Sequence, residues 1–222
     1  MKRAIAHILT AGIALGILYV RLRAAGTIVL LLWYAPNMIA VVSVIALSLL
    51  NLRNKPVCAD ETLPIFFAAV LSTNFCVFIS LFGGYYPMYR IAPLAGLQIA
   101  GNLLNLLSMP FYLWALFSLG QSFAILPESH TLRMTGVYQI SRHPLYLTYM
   151  LWCLTQNLIY QTWTVLAFSF IQIALYRFRA KREEQILSDT FPEYSAYQKK
   201  VLWLGARRAA GSRSRELRRA GA

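Results

Sequence analysis

Long apolar runs separated by short polar breaks dominate the first half of the chain. Four of them, Ala4–Val20, Gly26–Leu50, Leu63–Pro87 and Pro93–Leu119, approach or exceed the roughly 20 residues that a helix needs to cross a bilayer. Pro36 interrupts the second, and a kink there is tolerable where the freed carbonyl is satisfied locally. Asn74, Asn102 and Asn105 fall inside runs and are expected to bond between helices. From Gly120 to Pro144 the apolar period disappears over about 25 residues that hold aromatic and polar groups without low complexity. Loops of that length in a compact protein are usually functional or disordered, and this composition favours function. Leu145–Tyr176 turns apolar again for about 32 residues, too long for one untilted span and too short for two full ones. The polar patch Thr155-Gln156-Asn157, with Gln161-Thr162 after it, predicts two shorter helices joined near Asn157–Thr162, a hairpin that returns the chain to the side it entered from.

The pattern therefore predicts an all-α, polytopic membrane helix bundle: four full spans, a C-terminal helical hairpin and a capping helix after it. Residues 1–204 form one integral-membrane domain, and 205–222, rich in Arg, Ala and Gly, form a basic and disordered tail lying on anionic headgroups. The basic start and apolar run of the N-terminus resemble a signal peptide, but a second run follows at once with no clear cleavage site before Arg21, so a retained span is expected.

Composition agrees. The chain is 58% hydrophobic, above the roughly 45–50% of soluble domains. The net charge of +13, from 21 Lys and Arg against 8 Asp and Glu, sits in loops and at the C-terminus, so topology and anionic lipid explain it better than nucleic acid. Placing the hairpin's ends and the C-terminus in the cytoplasm collects Lys2, Arg3, Arg53, Lys55, Arg133, Arg142 and the tail there, and leaves Arg21, Arg23 and Arg90 outside. Cys58, Cys76 and Cys153 form no CxxC pair, and neither a disulfide framework nor a metal site is expected.

Acids are scarce, which isolates one pair. Glu183-Glu184 lies among Arg177, Arg179, Lys181 and Arg182. Alone it reads as an interfacial helix in which Arg179 and Glu183 pair one turn apart. Arg142-His143-Pro144 alone reads as a membrane boundary, with proline suited to the first turn of a helix. The two boxes flank the hairpin, so its ends bring Arg142, His143 and Tyr146 toward Arg179, Glu183 and Glu184. Ionisable groups gathered at an apolar opening are a functional-site hypothesis.

The order Tyr138, "RHPLY" (Arg142–Tyr146), hairpin, "EE" (Glu183-Glu184) and "EYSAYQKKV" (Glu193–Val201) resembles the isoprenylcysteine carboxyl methyltransferase family and the related bacterial and phospholipid methyltransferases. The lead-in "LGQSFAILPESHTL" and the pair Thr155-Gln156 add to the likeness, which covers about Leu119–Val201. The sequence departs from the pattern at Pro192, where Gly is usual, and in "VLWLGARR", which lacks a terminal proline. The resemblance implies S-adenosylmethionine held on the cytoplasmic side, with Tyr138, His143, Pro144, Tyr146, Glu183 and Glu184 toward the cofactor. It implies Arg142 and Arg179 toward an acceptor that arrives through the bilayer: a prenylcysteine-like carboxylate, a lipid, or a small lipophilic thiol or acid. Two other readings stay open: an NADPH-dependent membrane reductase of the sterol-reductase type, and a non-enzymatic scaffold or channel subunit.

Overall fold

The computed structural model describes residues 2–24, 39–40, 42–47, 49–50, 58–59, 62–82, 94–123, 125–126, 128–129 and 132–203. Pro36, the segment from Gly83 to Tyr89, most of Asn51–Thr62, the side chains of Asn74 and Cys76, and the tail 205–222 lie outside these residues. Helices run over α1 (Lys2–Ala24), α2 (Leu63–Phe82), α3 (Ala95–Leu119), α4 (Pro144–Tyr160), α5 (Trp163–Thr190) and α6 (Tyr194–Lys200), with helical backbone also within 39–50. A single antiparallel pair of two-residue strands, Cys58–Ala59 with Glu128–Ser129, is the non-helical exception among the described elements.

Among the described residues α3 is long and apolar enough to cross a membrane. It leaves Leu103, Leu106, Leu107, Trp114 and Phe117 exposed, a contiguous apolar face of the kind that soluble monomers rarely present. Polar side chains along α3 fold back on their own helix: Asn102 donates to the Gln98 carbonyl, Ser108 to Asn105 and Ser118 to Trp114. This corrects the expectation for Asn102, whose amide bonds within its helix and not between helices. A short polar side chain beside a carbonyl one turn back needs no partner helix. Asn105 is buried, and its side-chain oxygen lacks a hydrogen-bond partner.

The α3–α4 contact is tight because Gly101 has no side chain. A methyl group there would stand 2.9 Å from Leu158 Cβ and 3.1 Å from the Thr155 carbonyl oxygen. Gly96, five residues earlier on the same helix, has nothing within 4 Å. Alanine gains up to about 1 kcal/mol of helix propensity over glycine, whereas forcing a methyl into a packed contact costs about 1–3 kcal/mol. Gly96→Ala is thus expected to hold or raise the unfolding temperature in detergent, and Gly101→Ala to lower it. Equal shifts in the two variants would refute the close contact.

Residues Gln161-Thr162 join α4 to α5. Gln161 takes a left-handed backbone, φ 52°, and its side chain works in three hydrogen bonds. It accepts from the Leu94 amide and donates to the Leu94 and Leu158 carbonyls, so the turn also fastens the start of α3. Thr162 caps α5 by accepting from the Val165 amide. The two helices lie side by side in opposite directions, with Asn157 bonded to Ser169 near the turn and Tyr146 stacked on Tyr176 far from it. No break marks the change from apolar to charged sequence, and α5 continues from Trp163 through Glu183-Glu184 to Thr190. It stops where Pro192 forbids continuation, the preceding Phe191 being extended (φ −122°, ψ 107°).

Candidate functional site

The described residues between Gly120 and Pro144 form a wall of short turns. Gly120 leaves α3 with φ 51°, and Gly136 starts a 3-10 turn, Gly136–Gln139, with φ 62°. Both values favour glycine, which explains Gly136 two residues before Tyr138. Tyr138 on this turn is buried, and its carbonyl accepts from the Tyr197 hydroxyl at 2.6 Å. Further along, His143 occupies the N-cap position of α4 and Pro144 the first turn, where proline's missing N–H costs nothing. The His143 side chain makes no cap hydrogen bond and turns instead to α5.

There it meets both glutamates. His143 Nε2 is 3.0 Å from Glu184 Oε1, and Nδ1 is 3.8 Å from Glu183 Oε2. Arg142 Nη1 reaches the same Glu184 oxygen at 3.0 Å. The Tyr146 hydroxyl donates to Glu183 Oε1, and Arg179 Nη2 lies 3.8 Å from that oxygen. The imidazole stacks on Tyr146, with centroids 5.4 Å apart.

Arg179 is buried and heavily engaged. Nη1 donates to the Ser72 and Thr73 hydroxyls and Nη2 to the Ile125 carbonyl, while the guanidinium lies 5.5 Å over the Tyr146 ring. Gln172 and Tyr176 both donate to the Ser72 carbonyl. Residues 172, 176 and 179 stand at i, i+4 and i+7, so one polar stripe of α5 grips a single residue of α2. Sequence reasoning missed this stripe, although three polar positions at helical spacing in an apolar run are a usable signal.

A cavity of about 960 Å³, counting its solvent-open part, lies between these elements. Tyr138, Arg142, His143, Tyr146, Arg179 and Glu183 line it. Glu184 and Pro144 stand among the expected residues but not among the lining ones: Glu184 holds Arg142 and His143 from behind, and Pro144 starts the helix. Additional lining comes from Thr73, Phe123, Arg133, Tyr149, Tyr194 and Tyr197. Tyr149 lies one turn beyond Tyr146 and stacks on Tyr176 at 5.2 Å, a spacing visible in the sequence. Arg133 is exposed at the cavity.

Burial pushes the Tyr138 and Tyr194 phenols up, with the nearby Glu183 and Glu184 respectively adding to it. Burial likewise raises Tyr197 to about 12, against the opposing pull of Arg142. These phenols are therefore neutral hydrogen-bond donors near neutral pH. The Arg142 Nε is buried without a hydrogen-bond partner, and a buried donor of this kind costs stability unless something accepts from it.

The Arg/His/Glu/Tyr arrangement can hold a ligand bearing both positive and negative groups, since carboxylate and guanidinium meet at one wall. Residues 100–189 match the model of the Isoprenylcysteine carboxyl methyltransferase family. A protein-S-isoprenylcysteine O-methyltransferase of Saccharomyces cerevisiae is 33% identical over 110 residues, covering 46% of each chain. The chain thus aligns with about half the length of that curated relative. Over residues 100–189, which carry Tyr138, the Arg142–Tyr146 box, Arg179 and both glutamates, this protein is similar to the isoprenylcysteine carboxyl methyltransferase family.

Proposed function

We propose that this chain is an integral-membrane methyltransferase that uses S-adenosylmethionine to esterify the carboxylate of a lipophilic, prenylcysteine-like acceptor. The observation that carries the reading is the convergence of Arg142, His143, Tyr146 and Glu183 at one cavity wall, with Glu184 bracing Arg142 and His143 behind it, inside the segment that matches the family.

The residues fit such a cofactor by their chemistry. Glu183 offers a carboxylate to ribose hydroxyls, to an ammonium or to sulfonium charge, and it lines the cavity. His143, which lines the cavity, offers a hydrogen bond to the cofactor's carboxylate. Tyr138, Tyr146 and Tyr149 supply aromatic surface for an adenine ring. When bound, S-adenosylmethionine supplies an electrophilic methyl group on a sulfonium. The chain's own contribution is alignment and exclusion of water, which together are worth several kcal/mol in bimolecular displacements.

Arg142 is read as the acceptor's anchor. Glu184 already shares its charge at 3.0 Å, so the guanidinium orients an incoming carboxylate without fully suppressing its nucleophilicity. No proton need move when a carboxylate oxygen becomes an ester oxygen, which suits a site whose phenols stay neutral. Arg179 is read as a positioning residue, because its terminal nitrogens are spent on Ser72, Thr73 and Ile125. The exposed apolar face of α3 supports delivery of a lipophilic acceptor from the bilayer. The excess of Lys and Arg in the polar segments flanking the site supports a multi-pass topology with a cytoplasmic site.

The experiment is incubation of the purified chain with methyl-labelled S-adenosylmethionine and a prenylcysteine acid, followed by base treatment. Label should appear in the acceptor as a base-labile ester. Label confined to phospholipid amines would replace the acceptor class, and no transfer to prenylcysteine or lipid would overturn the reading.

A further inference from the structure

The last described residues, Val201–Trp203, cross directly behind the Arg-His-Pro box. The Leu202 carbonyl accepts from the Arg142 amide at 3.3 Å. The Trp203 carbonyl accepts from the Ser141 hydroxyl at 2.7 Å, and that hydroxyl accepts from the His143 amide at 3.1 Å. Ser141 is fully buried, so its bond from the His143 amide is sheltered from water and its bond to the Trp203 carbonyl partly so. The Trp203 indole then packs on the His143 ring with centroids 5.8 Å apart, and the Arg177 guanidinium covers the indole at 5.4 Å. Trp203 also packs against the Tyr146, Tyr176 and Ala180 cluster. Neither Ser141 nor Trp203 lines the cavity.

We propose that Val201–Trp203 is a strap that sets the position of His143, and that Ser141 and Trp203 are positioning residues for the methyl-donor site. This rests on the donor-binding reading for its consequence, though not for its geometry. His143 has both carboxylates beside it and two aromatic rings against its imidazole, Tyr146 stacked at 26° and Trp203 tilted at 51°. Its ring tilt is thus fixed by stacking as much as by hydrogen bonds. Its backbone is fixed separately, through Ser141. With the indole removed, the imidazole loses one of its two aromatic neighbours and can swing from the cavity wall while Glu183-Glu184 stays on α5. Groups that orient a ligand-binding histidine from behind typically matter tenfold or more without touching the ligand.

The test uses the full chain in detergent. The reactivity of His143 toward diethyl pyrocarbonate, read by peptide mass spectrometry, reports its exposure without any methyl donor. Trp203→Ala should raise it several-fold, Trp203→Phe should restore it, and Ser141→Ala should raise it partly. Met150→Ala, which trims the same aromatic cluster about two helical turns from His143, should leave it unchanged, and reactivity at the buried His7 should stay constant in every variant. In parallel, Trp203→Ala should weaken S-adenosylmethionine binding about tenfold, with recovery in Trp203→Phe. Unchanged His143 reactivity in Trp203→Ala overturns the strap, as does an equal rise in Met150→Ala. Raised His143 reactivity with no donor binding in the unmodified chain keeps the strap and removes the methyl-donor reading.

Discussion

Glu183→Gln is expected to weaken S-adenosylmethionine binding about 100-fold while the fold survives. Glutamine keeps the size and one oxygen of the carboxylate and removes only its charge. That charge now accepts from Tyr146 and lies within 3.8 Å of both His143 Nδ1 and Arg179 Nη2. Charge-assisted hydrogen bonds are about twice as strong as neutral ones. Breaking a desolvated charge pair costs about 2–5 kcal/mol, and each 1.4 kcal/mol is about tenfold in affinity. Glu183 is partly screened, with its side chain 22% exposed, so the low end of that range applies. The measurement is a binding isotherm alongside the unfolding temperature. Full affinity in the variant would place the donor elsewhere.

Arg142→Lys separates donor from acceptor. Lysine preserves a positive charge for Glu184, 3.0 Å from the arginine's Nη1, but has no counterpart of the buried Nε and no planar fork for a carboxylate. The acceptor's KM should rise about 10-fold to 100-fold, since losing a charged hydrogen bond costs about 1.5–3 kcal/mol. Donor affinity should stay within about threefold, a change below 1.4 kcal/mol. Kinetics at saturating donor, paired with direct donor binding, check this. A parallel loss of both would show that Arg142 holds the donor instead.

Much of the site was legible because its chemistry is rare in this chain. With eight acids in 222 residues, adjacent glutamates stand out, and Arg142-His143-Pro144 stands out for the same reason. Proline at the first helical turn was likewise readable from residue type. What escaped was depth. Both glutamates look equivalent in sequence, yet only Glu183 lines the cavity, because consecutive helical residues point about 100° apart. Arg179 lies one turn from Glu183, and pattern alone could not show that Ser72, more than a hundred residues away, would claim it. Asn102 was expected to reach another helix and bonds its own, since sequence does not reveal which acceptor is nearer. Trp203 had no signal beyond being aromatic in a segment that departs from the family pattern. Its role depends on the chain turning back after α6, a tertiary event. For the first helix, the expected end at Val20 fell short of Ala24. Arginine is a good helix former, so Arg21 and Arg23 end an apolar run without ending a helix.

The wall formed by His143, Tyr146 and Glu183, backed by Glu184, is read as holding the methyl donor. Saturation binding of methyl-labelled S-adenosylmethionine to the purified chain in lipid nanodiscs tests it most directly, with NADPH as the competing ligand and His143→Ala as the partner sample. Saturable binding at one site per chain is expected, displaced by S-adenosylhomocysteine and not by NADPH, and lost in His143→Ala. Equal binding in His143→Ala, or binding of NADPH in place of S-adenosylmethionine, would contradict it.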